Sequence, residues 1–155
     1  MDFKLSEEQN LLIKSTKSFV KNELMQHEGL LEKTDNLPKE LYQEIKKKSQ
    51  ELGLYACNMP TEYGGGGLNA FDLTLIEKEL GHTSLALAEI AWRPQNILMA
   101  CTGKLIDEYL KPATTGERKD CIAMTEPEAG SDAAALQTTA TLRDGIYYLN
   151  GSKTF

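Results

Sequence analysis

The chain has 155 residues, 41% hydrophobic and 26% charged, a balance that supports a globular core and excludes general disorder. A formal charge of -6 and a pI near 5.0 leave no basic face for nucleic acid, and no run approaches the roughly 18 consecutive apolar residues of a membrane span. Neither an apolar signal core nor an Arg-rich presequence opens the chain, so the expectation is a cytoplasmic protein, or a mitochondrial-matrix one after processing.

The first hundred residues read as helices. Ser6 with Gln9 fits a capping box, Glu7 and Glu8 suit a first turn, and Leu12, Phe19, Val20 and Leu24 share one face, which predicts a helix over about 7 to 26. Asn36-Leu37-Pro38 opens a second, with Leu41, Ile45 and Leu52 inward, Lys46-Lys47-Lys48 as a solvated face and Gly53 as the stop. Asn69 and Asp72 open a third that carries Leu73, Ile76 and Leu80. His82, just past its end, suits the helix dipole better than a metal. Ser84 opens a fourth through Leu85, Leu87, Ile90 and Leu98, which Pro94 must kink or split. A last short helix with Leu105, Ile106, Tyr109 and Leu110 is expected to end before Pro112. Between the second and third helices, four glycines in the stretch from Met59 to Gly67 imply a tight or moving loop, and a plain flexible connector fits equally well. Cys57, Cys101 and Cys121 are scattered without Cys-x-x-Cys or paired histidines, as reduced core thiols would be, and no metal site is expected.

After Pro112 the character changes, which divides the chain into 1–112 and 113–155. Cys121-Ile122-Ala123-Met124 has the length and composition of a buried strand, which Pro127 forces to stop near Thr125. Gly130 lets the backbone approach a ligand, and the amides of Gly130, Ser131 and Asp132 offer a phosphate-sized nest. Further on, Thr138 to Leu142 and Ile146 to Leu149 flank Asp144-Gly145, a strong hairpin signal. By spacing alone the loop from Met124 to Asp132 is equally an ordinary surface turn. Two other function classes stay open on the residues: an enzyme using Glu126, Glu128 and Asp132 as metal ligands or as an acid/base pair, and a helical interaction module with the glycine loop as its contact surface. A serine-hydrolase elbow is disfavoured, because Ala133 stands where its second glycine belongs.

The run Thr125-Glu126-Pro127-Glu128-Ala129-Gly130-Ser131-Asp132 resembles the flavin-binding segment of the acyl-CoA dehydrogenase family, departing only at Glu128, where that family commonly has Gly. Pro60-x-x-Tyr63-Gly64-Gly65 and Gly151-x-Lys153-x-Phe155 resemble two further elements of the family, so the likeness spans nearly the whole chain. It implies a mainly α chain, an N-terminal helical bundle followed by the first strands of an incomplete β-barrel. The implied cofactor is FAD. Carried over residue by residue, the resemblance puts Thr125 at the flavin's pyrimidine edge, Gly130 and Ser131 at the pyrophosphate, Met124 against the ring and Phe155 near its far side. Ile122 stands where many members carry a ring-facing aromatic, and Ser131 also approaches the pantetheine arm of an acyl-CoA substrate. The implied reaction is α,β-oxidation of an acyl-CoA thioester with hydride transfer to flavin, with electron-transfer flavoprotein as redox partner and a homo-oligomer in full-length form. The family's catalytic Glu belongs to a later helical domain and matches no residue here, so the chain is expected to be a silent fragment.

Overall fold

The computed structural model describes residues 4–91 and 94–155. About 52% of the chain is helical, with a two-stranded sheet near its C-terminal end, so it is mainly α. It divides into two compact units, Met1–Asp120 and Cys121–Phe155.

In the first unit, helix α1 (Glu7–Phe19) starts as its sequence dictates: Ser6 Oγ accepts from the Gln9 amide at 3.1 Å and Gln9 Oε1 accepts from the Ser6 amide at 3.0 Å. It does not end near residue 26. The chain widens into a π-helical turn at Val20–Leu24, tightens into a 3₁₀ turn at Met25–His27 and continues as α2 (Glu28–Thr34) until Asp35 adopts a left-handed conformation. The wider turn re-phases the apolar face, and Phe19, Val20 and Leu24 all reach the core. No Pro interrupts this stretch, and a single Gly29 weakens a helix without breaking it.

Helix α3 (Lys39–Glu51) begins after Pro38 and stops where Gly53 takes a left-handed φ. Two expectations fail here. Leu52 is exposed, because it lies past the last helical residue, and Lys46 is buried instead of solvated. The Asn69 side chain caps α4 (Ala70–Leu80), accepting from the Phe71 and Asp72 amides, and Ser84 caps the short α5 (Leu85–Ala88). The expected fourth helix is split: a separate 3₁₀ turn, Asn96–Ala100, follows Pro94, and Trp92 and Arg93 lie outside the described residues. Nor does the last helix stop before Pro112. A π-helical turn at Ile106–Leu110 passes into α6 (Lys111–Thr114), and Pro112 sits in the first turn of α6, where its missing N–H is tolerated.

Phe19, Val20, Leu24, Ile45, Ile76, Leu80, Leu87 and Ile90 form the shared core of this unit. The glycine loop is tight. Amides of Gly66 and Gly67 donate to the carbonyls of Ala56 and Met59 at 3.1 and 2.8 Å, and a Cβ on Gly65 would overlap the Met59 carbonyl. Among the described residues no helix is long and apolar enough to cross a membrane.

In the second unit, β1 (Thr139–Arg143) pairs antiparallel with β2 (Ile146–Asn150), Arg143 facing Ile146 and Thr139 facing Asn150. Asp144 and Gly145 both take positive φ, the paired left-handed geometry of a type I′ turn. The strand expected over Cys121–Thr125 is absent: these residues are exposed and join no ladder. A strand exists only against a partner, and apolar composition alone provides none. For the same reason Cys121 is an exposed thiol and not a core one, whereas Cys57 is buried.

Candidate functional site

Pro127 and Glu128 occupy the tip of a tight turn closed by reciprocal bonds, the Glu126 amide to the Ala129 carbonyl at 2.9 Å and the Ala129 amide to the Glu126 carbonyl at 3.2 Å. Glu128 keeps a negative φ, so nothing in the backbone demands Gly there. The chain then bends through Gly130 and Ser131 to Asp132, whose carboxylate accepts from the Ala134 amide at 3.2 Å and opens a 3₁₀ turn, Ala133–Ala135. Gly130 is not left-handed, and the amides of Gly130, Ser131 and Asp132 make no hydrogen bond among the described residues. Three successive donors in exposed residues are thus left without a partner.

Glu126 itself turns inward and is only 7% exposed. Its two carboxylate oxygens accept from the Gln137 amide at 2.7 Å, the Thr138 amide at 3.0 Å and the Lys153 ammonium at 2.9 Å. The nearby Thr138 hydroxyl, the Gln137 amide and Lys153 hold its pKa down at about 2, which outweighs the opposing effect of burial. The hydroxyl acts through proximity, because its geometry falls short of a formed hydrogen bond. Gly151 packs so closely over Thr138 that a Cβ there would stand 2.7 Å from Thr138 Cα. A cleft of about 380 Å³ opens beside this knot, lined in part by Gln137, Asn150 and two residues of the acidic set, Glu126 and Glu128, and none of the residues expected to hold FAD borders it.

The predicted residues lie on exposed surface. Ile122, Met124 and Phe155 expose 63%, 49% and 99% of their area, and Thr125, Gly130 and Ser131 are exposed as well. Hydrogen bonds draw the end of the chain onto two of them: the Thr154 amide donates to the Thr125 carbonyl at 2.9 Å, and the Lys153 side-chain ammonium donates to the Met124 carbonyl at 2.9 Å. That places the residue before Phe155 directly against Thr125. Gly130 and Ser131 follow on the far side of the turn, with no bond to the other four. Sequence reasoning treated Glu126 as a possible acid/base or metal ligand and gave Lys153 no role. Both oxygens of Glu126 are engaged, and among the described residues no His, Cys, Asp and Glu side chains cluster as a metal set. The only early signal was Lys153 inside its Gly-x-Lys-x-Phe run.

Residues 6–117 match the family model described as "Acyl-CoA dehydrogenase, N-terminal domain", and 121–155 match "Acyl-CoA dehydrogenase, middle domain". The chain belongs to the acyl-CoA dehydrogenase family. Among curated acyl-CoA dehydrogenase relatives, a 3-(aryl)acrylate reductase of Clostridium sporogenes is 34% identical over 97% of this chain and 40% of its own length. A subunit of a caffeyl-CoA reductase-Etf complex of Acetobacterium woodii is 32% identical, with the same coverage of each chain. The crystal structure of a Bacillus anthracis acyl-CoA dehydrogenase complexed with FAD superposes with a TM-score of 0.72 at 30% identity, over 96% of this chain and 27% of that one. The chain therefore spans about 40% of the length of these curated members of the family.

Proposed function

We propose that this chain supplies the FAD-holding loop of an acyl-CoA dehydrogenase family enzyme that interconverts an acyl-CoA thioester and its α,β-unsaturated form. The observation that carries the reading is the row of unpartnered amides at Gly130, Ser131 and Asp132, inside the loop that resembles the family's, in a unit that also exposes the apolar side chains of Ile122, Met124 and Phe155. Successive amides without an internal partner are free to donate to a pyrophosphate. Exposed Met124, Ile122 and Phe155 suit an isoalloxazine ring, which needs flat apolar contact. The donor set and the apolar surface thus fit the group.

In this reading Gly130 and Ser131 bind the pyrophosphate, Thr125 orients the ring's polar edge, and Met124, Ile122 and Phe155 pack on the ring and exclude water. Bound FAD supplies the hydride acceptor that no side chain provides. No residue of the chain takes the α-proton, so its contribution is binding and orientation. Ser131 also meets the pantetheine arm. An acyl-CoA substrate and electron-transfer flavoprotein as redox partner belong to the same proposal, supported by the name of the caffeyl-CoA reductase-Etf relative, and a homo-oligomeric full-length form is proposed on the family resemblance alone.

The test uses the chain extended to the length of its relatives. Ser131→Asp sets a carboxylate against the pyrophosphate, and FAD is expected to be lost on purification, as read by absorbance near the flavin bands. Unchanged occupancy in that variant overturns the assignment.

A further inference from the structure

Carboxylates are seldom as buried as Glu126 unless every oxygen is engaged. Here three segments converge on one side chain: the turn that carries it, the Gln137-Thr138 entry to β1, and Lys153 just beyond β2. Neither the 121–128 segment nor the 152–155 segment belongs to a ladder, so regular backbone pairing does not set their relative placement. Two bonds from the Lys153 side chain and one main-chain bond from Thr154 do. The Lys153 ammonium reaches the Met124 carbonyl and the Glu126 carboxylate, 2.9 Å from each, and so spans both sides of Thr125. The adjoining Thr154 amide takes the Thr125 carbonyl itself at 2.9 Å. Three consecutive residues, Met124, Thr125 and Glu126, are clasped by two consecutive residues, Lys153 and Thr154.

We propose that Glu126 and Lys153 are positioning residues, an ion-paired clamp that fixes Met124 and Thr125 against the segment leading into Phe155 and thereby sets the shape of the ring-binding edge. The inference rests on the FAD reading above. The clamp acts through geometry: a charge-assisted bond is short and directional, and two such bonds from one ammonium leave the loop little freedom to slide. Glu126 touches neither substrate nor cofactor in this role. Gln at position 126 turns one acceptor into a donor facing a backbone amide or the ammonium, and Met at position 153 removes both bonds while keeping the aliphatic stem.

The test compares Glu126→Gln, Lys153→Met, their double variant and Lys153→Arg in the chain extended to its relatives' length, reading FAD affinity and the visible circular dichroism of bound flavin. Each single variant is expected to weaken FAD by about tenfold, the worth of one charge-assisted bond. Both are expected to alter the flavin dichroism, the double variant to be no worse than the weaker single, and Lys153→Arg to recover most of the affinity. Additive losses, or an unchanged dichroism, overturn the clamp. Should Lys153→Met not fold, Glu126→Asp, which keeps the charge and shortens the reach, carries the same expectation. If the unmutated protein holds no FAD, the functional reading falls while the clamp is still decided by hydrogen exchange of the Thr154 amide in the 155-residue chain. Faster exchange in Lys153→Met supports it, and an unchanged rate overturns it.

Discussion

Lys46 turns inward from the middle of a three-lysine run and donates a hydrogen bond to the carbonyl of Gly116, seventy residues along the chain. It is 6% exposed, and its ammonium lies 5.1 Å from the centre of the Tyr55 ring. Gln50, one turn on, donates to the Thr115 carbonyl at 2.7 Å, so α3 caps the carbonyls just beyond α6. Burial, with Lys119 nearby, pushes the Lys46 pKa below that of an ordinary lysine. The Lys48 ammonium stays near the surface and pairs with Glu23 and Glu44, each at 2.8 Å.

Lys46→Ala is expected to destabilise the helical unit by about 1–3 kcal/mol, through the lost bond and the lost packing of its stem. Lys47→Ala, on the exposed side of the same run, is expected to stay within about 0.5 kcal/mol of the unmutated chain. Chemical denaturation followed by far-ultraviolet dichroism measures both, and equal effects at the two positions would contradict the inward placement.

Two glycines separate tight packing from idle space. A Cβ on Gly65 meets the Met59 backbone, whereas one on Gly29 in α2 meets nothing within 4 Å. Gly65→Ala is expected to cost about 1–3 kcal/mol through overpacking. Gly29→Ala, by restoring helix propensity, is expected to stabilise by about 0.5–1 kcal/mol. Thermal unfolding midpoints that move in opposite directions would bear this out.

The Glu126 carboxylate supplies the pH dependence. Its folded pKa, about 2, lies below the ordinary value of 4.5, so the protonated form is disfavoured by folding. Its contribution to stability is therefore fully present above about pH 4.5 and is lost as pH falls toward 2. The amide shifts of Gln137 and Thr138 are expected to titrate with a midpoint near 2, and Glu126→Gln is expected to abolish the step. A midpoint near 4.5 would mean that the carboxylate is solvated.

Sequence alone determined whatever is decided within four or five residues. The Ser6-Gln9 capping box, the Asn69 and Ser84 caps, the Gly53 stop and the Asp144-Gly145 turn all stand where local chemistry puts them, because each depends on a side chain reaching its own neighbouring backbone. The run from Thr125 to Asp132 was legible as a motif, and it lies within residues 121–155, which match the family's middle-domain model. Only the tertiary structure decided the rest. The π turns arise because Val20, Leu24 and Leu110 must meet a core assembled from distant helices. Residues 121–125 stay outside any ladder because a strand is a property of a pair. Lys46 goes inward and Lys47 does not, and Glu126 becomes a clamp and not a free acid, because their partners at Gly116 and Lys153 lie 70 and 27 residues away, a separation that periodicity and spacing do not encode.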